Sequence, residues 1–224
     1  MSIADKLTTI AENEQKVFDA GAREEWNHFW DNYQNGGQRS GYMFGFTQGW
    51  TDRLFRPKYD LNVDDAYYMF AWARITDLAA RLEELSIAFD TSKVKRFQYM
   101  LMKSAITRMP PIDLSGTESF LQGFYEASAL IEATLIGGNV ITNWDNTFYN
   151  CYNLTNLTVD VVIAGAINFS WSPKLTRASL LSVLNALKDF SNGYKRACTL
   201  GATNLAKLSD ADKAIATRKG WTLA

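Results

Sequence analysis

The sequence predicts an α+β chain: a short solenoid of stacked repeats, with a long N-terminal helix before it and a strand–helix–strand cap after it. Three observations carry the prediction. An apolar or aromatic pair returns at Met100-Leu101, Phe124-Tyr125 and Phe148-Tyr149, at intervals of 24 residues. Six positions later each copy has a branched apolar residue (Ile106, Leu130, Leu154), followed three further on by Met109, Ala133 and Leu157. The third copy is the cleanest, Phe148-Tyr-Asn-Cys151-Tyr-Asn-Leu154-Thr-Asn-Leu157-Thr-Val159. A fixed period of this length marks units that cannot bury their apolar sides alone and must stack on neighbours. Two regions follow: residues 1–37, a helix for docking or oligomerisation, and residues 38–224, the repeat domain with its caps.

Taken in order, residues 2–33 read as a helix. Ser2 with Asp5 three later is an N-cap signal. Apolar residues recur by threes and fours at Ile3, Leu7, Ile10, Val17, Ala22, Trp26, Phe29 and Tyr33. A strict heptad seam places Glu14 and Gly21 inside, which argues against a regular coiled coil. Two readings stay open: a helix packed on its own domain, and a stalk that docks on or oligomerises with other chains. Asn35-Gly36-Gly37 stops it. Residues 38–67, rich in aromatics, glycine and turn residues, read as a joint covering the first repeat.

The repeats are expected over about 67–175. A degenerate opening copy shows at Met69, Trp72, Ile75 and Leu78, and Ile75 precedes Ile106 by 31 residues. The excess lies around residues 79–90, where Leu82 and Leu85 mark a short helical insertion. Alternation at the end of each copy (Ala133, Leu135; Leu157, Val159) predicts a short strand. Pro110-Pro111 bends or shortens the strand of the first copy. Phe169, Ser172, Leu175 and Ala178 keep the phase of a final, shorter copy.

Beyond it, Thr176 caps a helix over 176–190 with Leu180, Leu181, Leu184 and Leu187 on one face. A turn at Asn192-Gly193 leads to a strand near 197–201. Ser209 and Asp212 open a helix over 209–219, and Gly220 ends it before a strand at Trp221-Thr-Leu.

Composition narrows the function. Apolar residues make up 47% of the chain, enough for a real core. The formal charge is −1 and the basic residues are scattered, which leaves no footprint for nucleic acid. No stretch approaches the roughly 18 apolar residues of a membrane span. The N-terminus lacks the apolar core of a secretory signal. Of the two cysteines, Cys151 sits where the other copies have Lys103 and Ala127, so two reduced thiols are expected, with Cys151 in the core.

The segment 148–159 resembles the BspA-like leucine-rich repeats. The whole chain is similar to a group of such proteins encoded by phages and prophages of Gram-positive gut bacteria. Five segments carry this: Ser2-Ile-Ala-Asp-Lys-Leu-Thr-Thr-Ile-Ala-Glu-Asn, Gly49-Trp-Thr-Asp, Pro57-Lys-Tyr-Asp, Asn146-Thr-Phe-Tyr-Asn-Cys and Gly220-Trp-Thr-Leu. The resemblance implies a curved stack of short strands and a place in the virion, near the tail or at the surface, made in the host cytoplasm. The chain departs from the pattern at Lys103 and Ala127, where Cys or Asn is usual.

The residues that could carry catalysis or hold a metal do not form a complete set. The single His28 has no second histidine to form a metal pair and lies beside Trp26 and Phe29. Asp60, Asn62 and Asp64 imitate the start of a calcium loop, but Asp65 replaces the turn glycine and Ala71 the closing glutamate. Gly137-Gly138 lacks the spacing and lysine of a phosphate loop. The expectation is therefore no enzyme, no metal and no cofactor. The positive lead is Tyr99, Tyr125, Tyr149 and Tyr152, on or beside equivalent places of successive copies, which predicts a ladder of rings along one side. Such a ladder serves either as the polar margin of the core or as a platform for a ligand. The function expected is a non-enzymatic virion protein that recognises a host envelope glycan or protein. The alternative is a purely structural component that touches other virion proteins. In both, Ile3, Leu7, Ile10, Val17, Trp26 and Phe29 form a docking face toward tail proteins, and a homo-oligomer in the particle is expected.

Overall fold

The structure, a computed structural model, describes Pro57, residues 60–193 and residues 195–224. Its elements in chain order are β1 (Leu61–Asn62), α1 (Leu78–Glu84), β2 (Phe89–Asp90), β3 (Ile112–Asp113), β4 (Glu132–Ile136), β5 (Val140–Ile141) and β6 (Asn156–Val159). There follow β7 (Val162–Ile163), β8 (Ile167–Asn168), α2 (Arg177–Ala186), β9 (Arg196–Thr199), α3 (Ala202–Leu205), α4 (Asp210–Arg218) and β10 (Trp221–Leu223). The predicted helix over 2–33, with Ile3, Leu7, Ile10, Val17, Trp26, His28 and Phe29, lies outside the described residues, as does most of the joint.

Among the described residues all strand pairs are parallel, and they form four sheets: β1-β2, β3-β4-β6, β5-β7 and β10-β9-β8. In the central sheet Ala133 pairs with Leu157 and Leu135 with Val159, so the 24-residue interval sets this register. Ala133, Leu135 and Leu157 are buried while Glu132 and Thr158 face out, as a half-buried strand with period two requires.

This is a mixed α/β structure, and it corrects the expected solenoid: no solenoid is evident among the described residues. No sheet there exceeds three strands. The reason lies at the edges. A parallel ladder grows only while backbone N–H and C=O groups meet another strand. On the β3 side, the Thr91 hydroxyl accepts from Asp113 N–H at 2.8 Å and donates to Asp113 C=O at 3.0 Å. On the β6 side, helix α2 intervenes. Ser179 Oγ accepts from Leu157 N–H and Ser182 Oγ from Val159 N–H, each at 2.9 Å. Residues three apart on a helix share a face, as do residues two apart on a strand, so the two serines match the two amides. Hydroxyls thus take the places a further strand would use.

The intervals are also unequal. Pairs of non-glycine residues with positive φ, four apart, mark each successive turn: Tyr68 and Trp72, Tyr99 and Lys103, Gln122 and Glu126, Asn146 and Asn150. The second members stand 31, 23 and 24 residues apart. Buried Ser104 follows Lys103 as Ala127 follows Glu126 and Cys151 follows Asn150. Ser104 therefore stands where the sequence reading put Lys103, and Lys103 is instead exposed and ion-paired to Glu126 at 3.4 Å. The offset is back to 24 where Arg108 bridges Glu132, and the one-residue slip returns across Pro110-Pro111, beyond which Ile112 pairs with Leu135.

Local signals hold for several elements. Thr176 accepts from Ser179 N–H and caps α2. Ser209 and Asp212 form a reciprocal capping box on α4, with Asp210 and Asp212 in its first turn. The insertion near residue 80 is α1, capped by Asp77. Asp60, from the apparent calcium loop, uses its carboxylate to accept from Ala88 N–H at 2.8 Å. Among the described residues no helix is long and apolar enough to cross a membrane.

The core beneath these turns is aromatic. Phe97, Phe120, Phe124, Trp144, Phe148 and Phe169 are all buried. Several of the rings meet edge to face, as in Phe97–Phe120 at 5.2 Å and Phe124–Phe148 at 5.9 Å, while Trp144 stacks on Phe148. Both cysteines are free and buried. Cys151 Sγ donates to Phe124 C=O at 3.1 Å, and burial pushes both thiols up to about 12.

Candidate functional site

The repeated left-handed turns place a second set of rings outside this core. Backbone bonds tie successive turns together: Tyr99 N–H to Gln122 C=O, Lys103 N–H to Glu126 C=O, Gln122 N–H to Asp145 C=O and Glu126 N–H to Tyr149 C=O. Asn146 and Asn150 adopt positive φ readily, whereas Tyr68, Trp72, Tyr99, Lys103, Gln122 and Glu126 carry a cost there that these bonds offset. The result is a spacing between turns close to that of paired strands.

Along it the tyrosines form a continuous stripe. Tyr68 and Tyr99 have centroids 4.8 Å apart, Tyr99 meets Tyr125 edge to face at 5.5 Å, and Tyr125 stacks on Tyr149 at 5.1 Å and 15°. The stripe continues from Tyr149 to Trp171 at 5.5 Å, and Trp171 meets Tyr152 at 6.4 Å and 76°. At the opposite end Trp72 stacks on Tyr68 at 6.2 Å, and the Arg96 guanidinium lies 4.2 Å over the Tyr67 ring while pairing with Asp65. The four tyrosines singled out from the sequence are thus brought into one surface. Tyr99, Tyr125 and Tyr149 are half-buried and packed on neighbours, and only Tyr152 is exposed.

Electrostatics favour the neutral form of two hydroxyls in the stripe. Burial raises the Tyr125 hydroxyl above the usual phenol range, and Glu126, Tyr149 and Tyr99 add to the shift. Burial likewise raises Tyr68, helped by Tyr67 and Tyr99. A phenolate is disfavoured where neighbouring groups are themselves acidic and water is partly excluded. The stripe therefore offers ring edges, ring faces and neutral hydroxyls. Among the described residues no group of His, Cys, Asp or Glu gathers in a way that could hold a metal ion.

Sequence reasoning missed Tyr67, Tyr68, Trp72 and above all Trp171. A signal for the last existed. Aligning Ser172 with Cys151, each of which donates to a carbonyl of the preceding turn, puts Trp171 in the place of Asn150 and hence on the outer side.

Fold and site together define a mixed α/β protein that displays an aromatic stripe across parallel, hydrogen-bonded turns. In comparisons with known proteins, no family model, no curated protein and no solved structure matches the chain.

Proposed function

We propose that this chain is a non-enzymatic binding protein of a phage particle, and that the aromatic stripe is the surface with which it recognises the host envelope. The observation that carries the reading is the continuity of the stripe, from Trp72 through Tyr68, Tyr99, Tyr125 and Tyr149 to Trp171 and Tyr152. A core needs no second aromatic row outside its first, and large rings held half in water are a common feature of recognition surfaces. The resemblance of the segments at 2–13, 49–52, 57–60, 146–151 and 220–223 to phage-encoded BspA-like proteins supplies the context. Residues 1–37 are assigned to attachment within the particle and to self-association.

The test uses the purified full-length chain, labelled and mixed with intact cells of Gram-positive gut bacteria and, separately, with immobilised tail proteins of the same particle. Saturable binding to cells of a host strain, lost after the envelope polysaccharide is stripped or masked, is the expected result. Binding to tail proteins with no retention on any host cell overturns host recognition and leaves a structural component.

A further inference from the structure

We infer that the end of the stripe, where Trp171 and Tyr152 meet near a right angle, is a subsite for a hexopyranose ring bearing an acidic substituent. The inference rests on the proposed function and names the ligand class of its surface. Within the stripe the rings pack on one another: Tyr125 and Tyr149 stack, which covers one face of each, and Tyr99 meets Tyr125 edge to face. Trp171 and Tyr152 differ. They are 47% and 42% exposed, the most exposed large apolar side chains among the described residues. Their planes meet at 76°, which makes an open corner with two aromatic walls.

A pyranose ring has an apolar C–H face and a rim of hydroxyls. The indole face of Trp171 suits the first, and donors at the rim of the corner suit the second. Asn150 Oδ1 accepts from the Tyr152 hydroxyl at 2.6 Å, which fixes both side chains; among the described residues Asn150 Nδ2 has no acceptor, so its two N–H groups remain for a ligand. Asn153 is held from both sides. Its Nδ2 donates to Ser128 C=O at 2.8 Å and its Oδ1 accepts from Lys174 Nζ at 2.7 Å. That bond fixes the ammonium on the residue that follows Tyr152 in the chain, with further N–H groups to give. None of the ion pairs among the described residues uses Lys174. A cation anchored one residue along the chain from an aromatic platform favours a sugar with a carboxylate or phosphate on its rim.

The full-length protein is titrated with a galacturonic acid trimer and, in parallel, with neutral triacetylchitotriose, and the tryptophan indole N–H resonances are followed. The Trp171 resonance is identified by its loss in Trp171→Phe. The acidic trimer should move that resonance to saturation and bind more tightly than the neutral one. Trp171→Ala should weaken it roughly tenfold or more, which corresponds to about 1.4 kcal/mol, and Trp171→Tyr should restore most of the affinity. Lys174→Gln should weaken the acidic trimer and leave the neutral one unchanged. An unaltered thermal midpoint shows that each variant is folded. No saturable shift with either trimer, or full affinity in Trp171→Ala, overturns the subsite; equal affinity for both trimers overturns the acidic substituent. Host cells bound equally by wild type and Trp171→Ala sink this inference and leave the proposed function standing. A protein that binds the trimer but no host cell does the reverse.

Discussion

Removing the Ser179 hydroxyl tests why the central sheet ends at β6. Ser179 is buried, and its Oγ accepts from Leu157 N–H at 2.9 Å while donating to Thr155 C=O at 3.0 Å. Ser179→Ala therefore strands a buried amide with no water to replace the partner, at a cost of about 1–3 kcal/mol. Alanine is the better helix former, which returns about 0.5 kcal/mol within α2. The net expectation is a loss of about 0.5–2.5 kcal/mol. Ser182 provides the internal control. It makes the equivalent bond to Val159 N–H at 2.9 Å, but both residues are only partly buried. Water can take over there, and the propensity gain offsets most of the lost bond, so Ser182→Ala should fall within about 0.5 kcal/mol of wild type. Urea titration of the full-length protein, followed by far-ultraviolet circular dichroism, measures both, with an unchanged denaturant slope showing that the folded state is preserved. If Ser179→Ala is as stable as wild type, or Ser182→Ala is the more damaging, hydroxyl capping is not what closes this edge.

Two further expectations follow from the core and from one ion pair. Leu154 is fully buried, so Leu154→Ala should cost about 2–5 kcal/mol in the same assay; a loss below about 1 kcal/mol would show that the turn carrying Leu154 is not packed as described. Arg177 donates to both carboxylate oxygens of Asp212, at 2.9 and 2.6 Å, and with the Ser209 amide holds that carboxyl down to about 2. A carboxyl depressed on folding stabilises the protein above its unfolded pKa of about 3.9, and this contribution is lost as pH falls toward the folded value. Stability should therefore decline between about pH 4 and pH 2, and Asp212→Asn should flatten that decline; an identical acid profile in the variant would contradict the assignment.

The element signals that reside in a few neighbouring residues were legible. Thr176, Ser209 with Asp212, and the alternation around Ala133 and Leu157 act over three or four positions, and the structure uses each of them. Register over longer distances was less so. Met100 and Leu101 are both buried, so hydrophobicity alone did not distinguish them, and the slip to Ser104 is visible only in the backbone of the turns. Tyr125 and Tyr149 were found because they recur with the period, and Tyr99 and Tyr152 because they lie beside such places. Trp171 was not, because the last interval is shorter.

By itself, then, the sequence determined the 24-residue register of β4 on β6, the caps of α2 and α4, the burial of Cys151 and the grouping of Tyr99, Tyr125, Tyr149 and Tyr152 on one side. Tertiary structure alone decided how far the sheets extend and which rings stay open. Both depend on groups distant in the chain. Thr91, Ser179 and Ser182 reach the strand edges across more than twenty residues, and the exposed corner at Trp171 forms where Tyr152, from the preceding turn, meets it. A period predicts that neighbours will stack; whether the stack continues is settled by what occupies the hydrogen bonds at its edge.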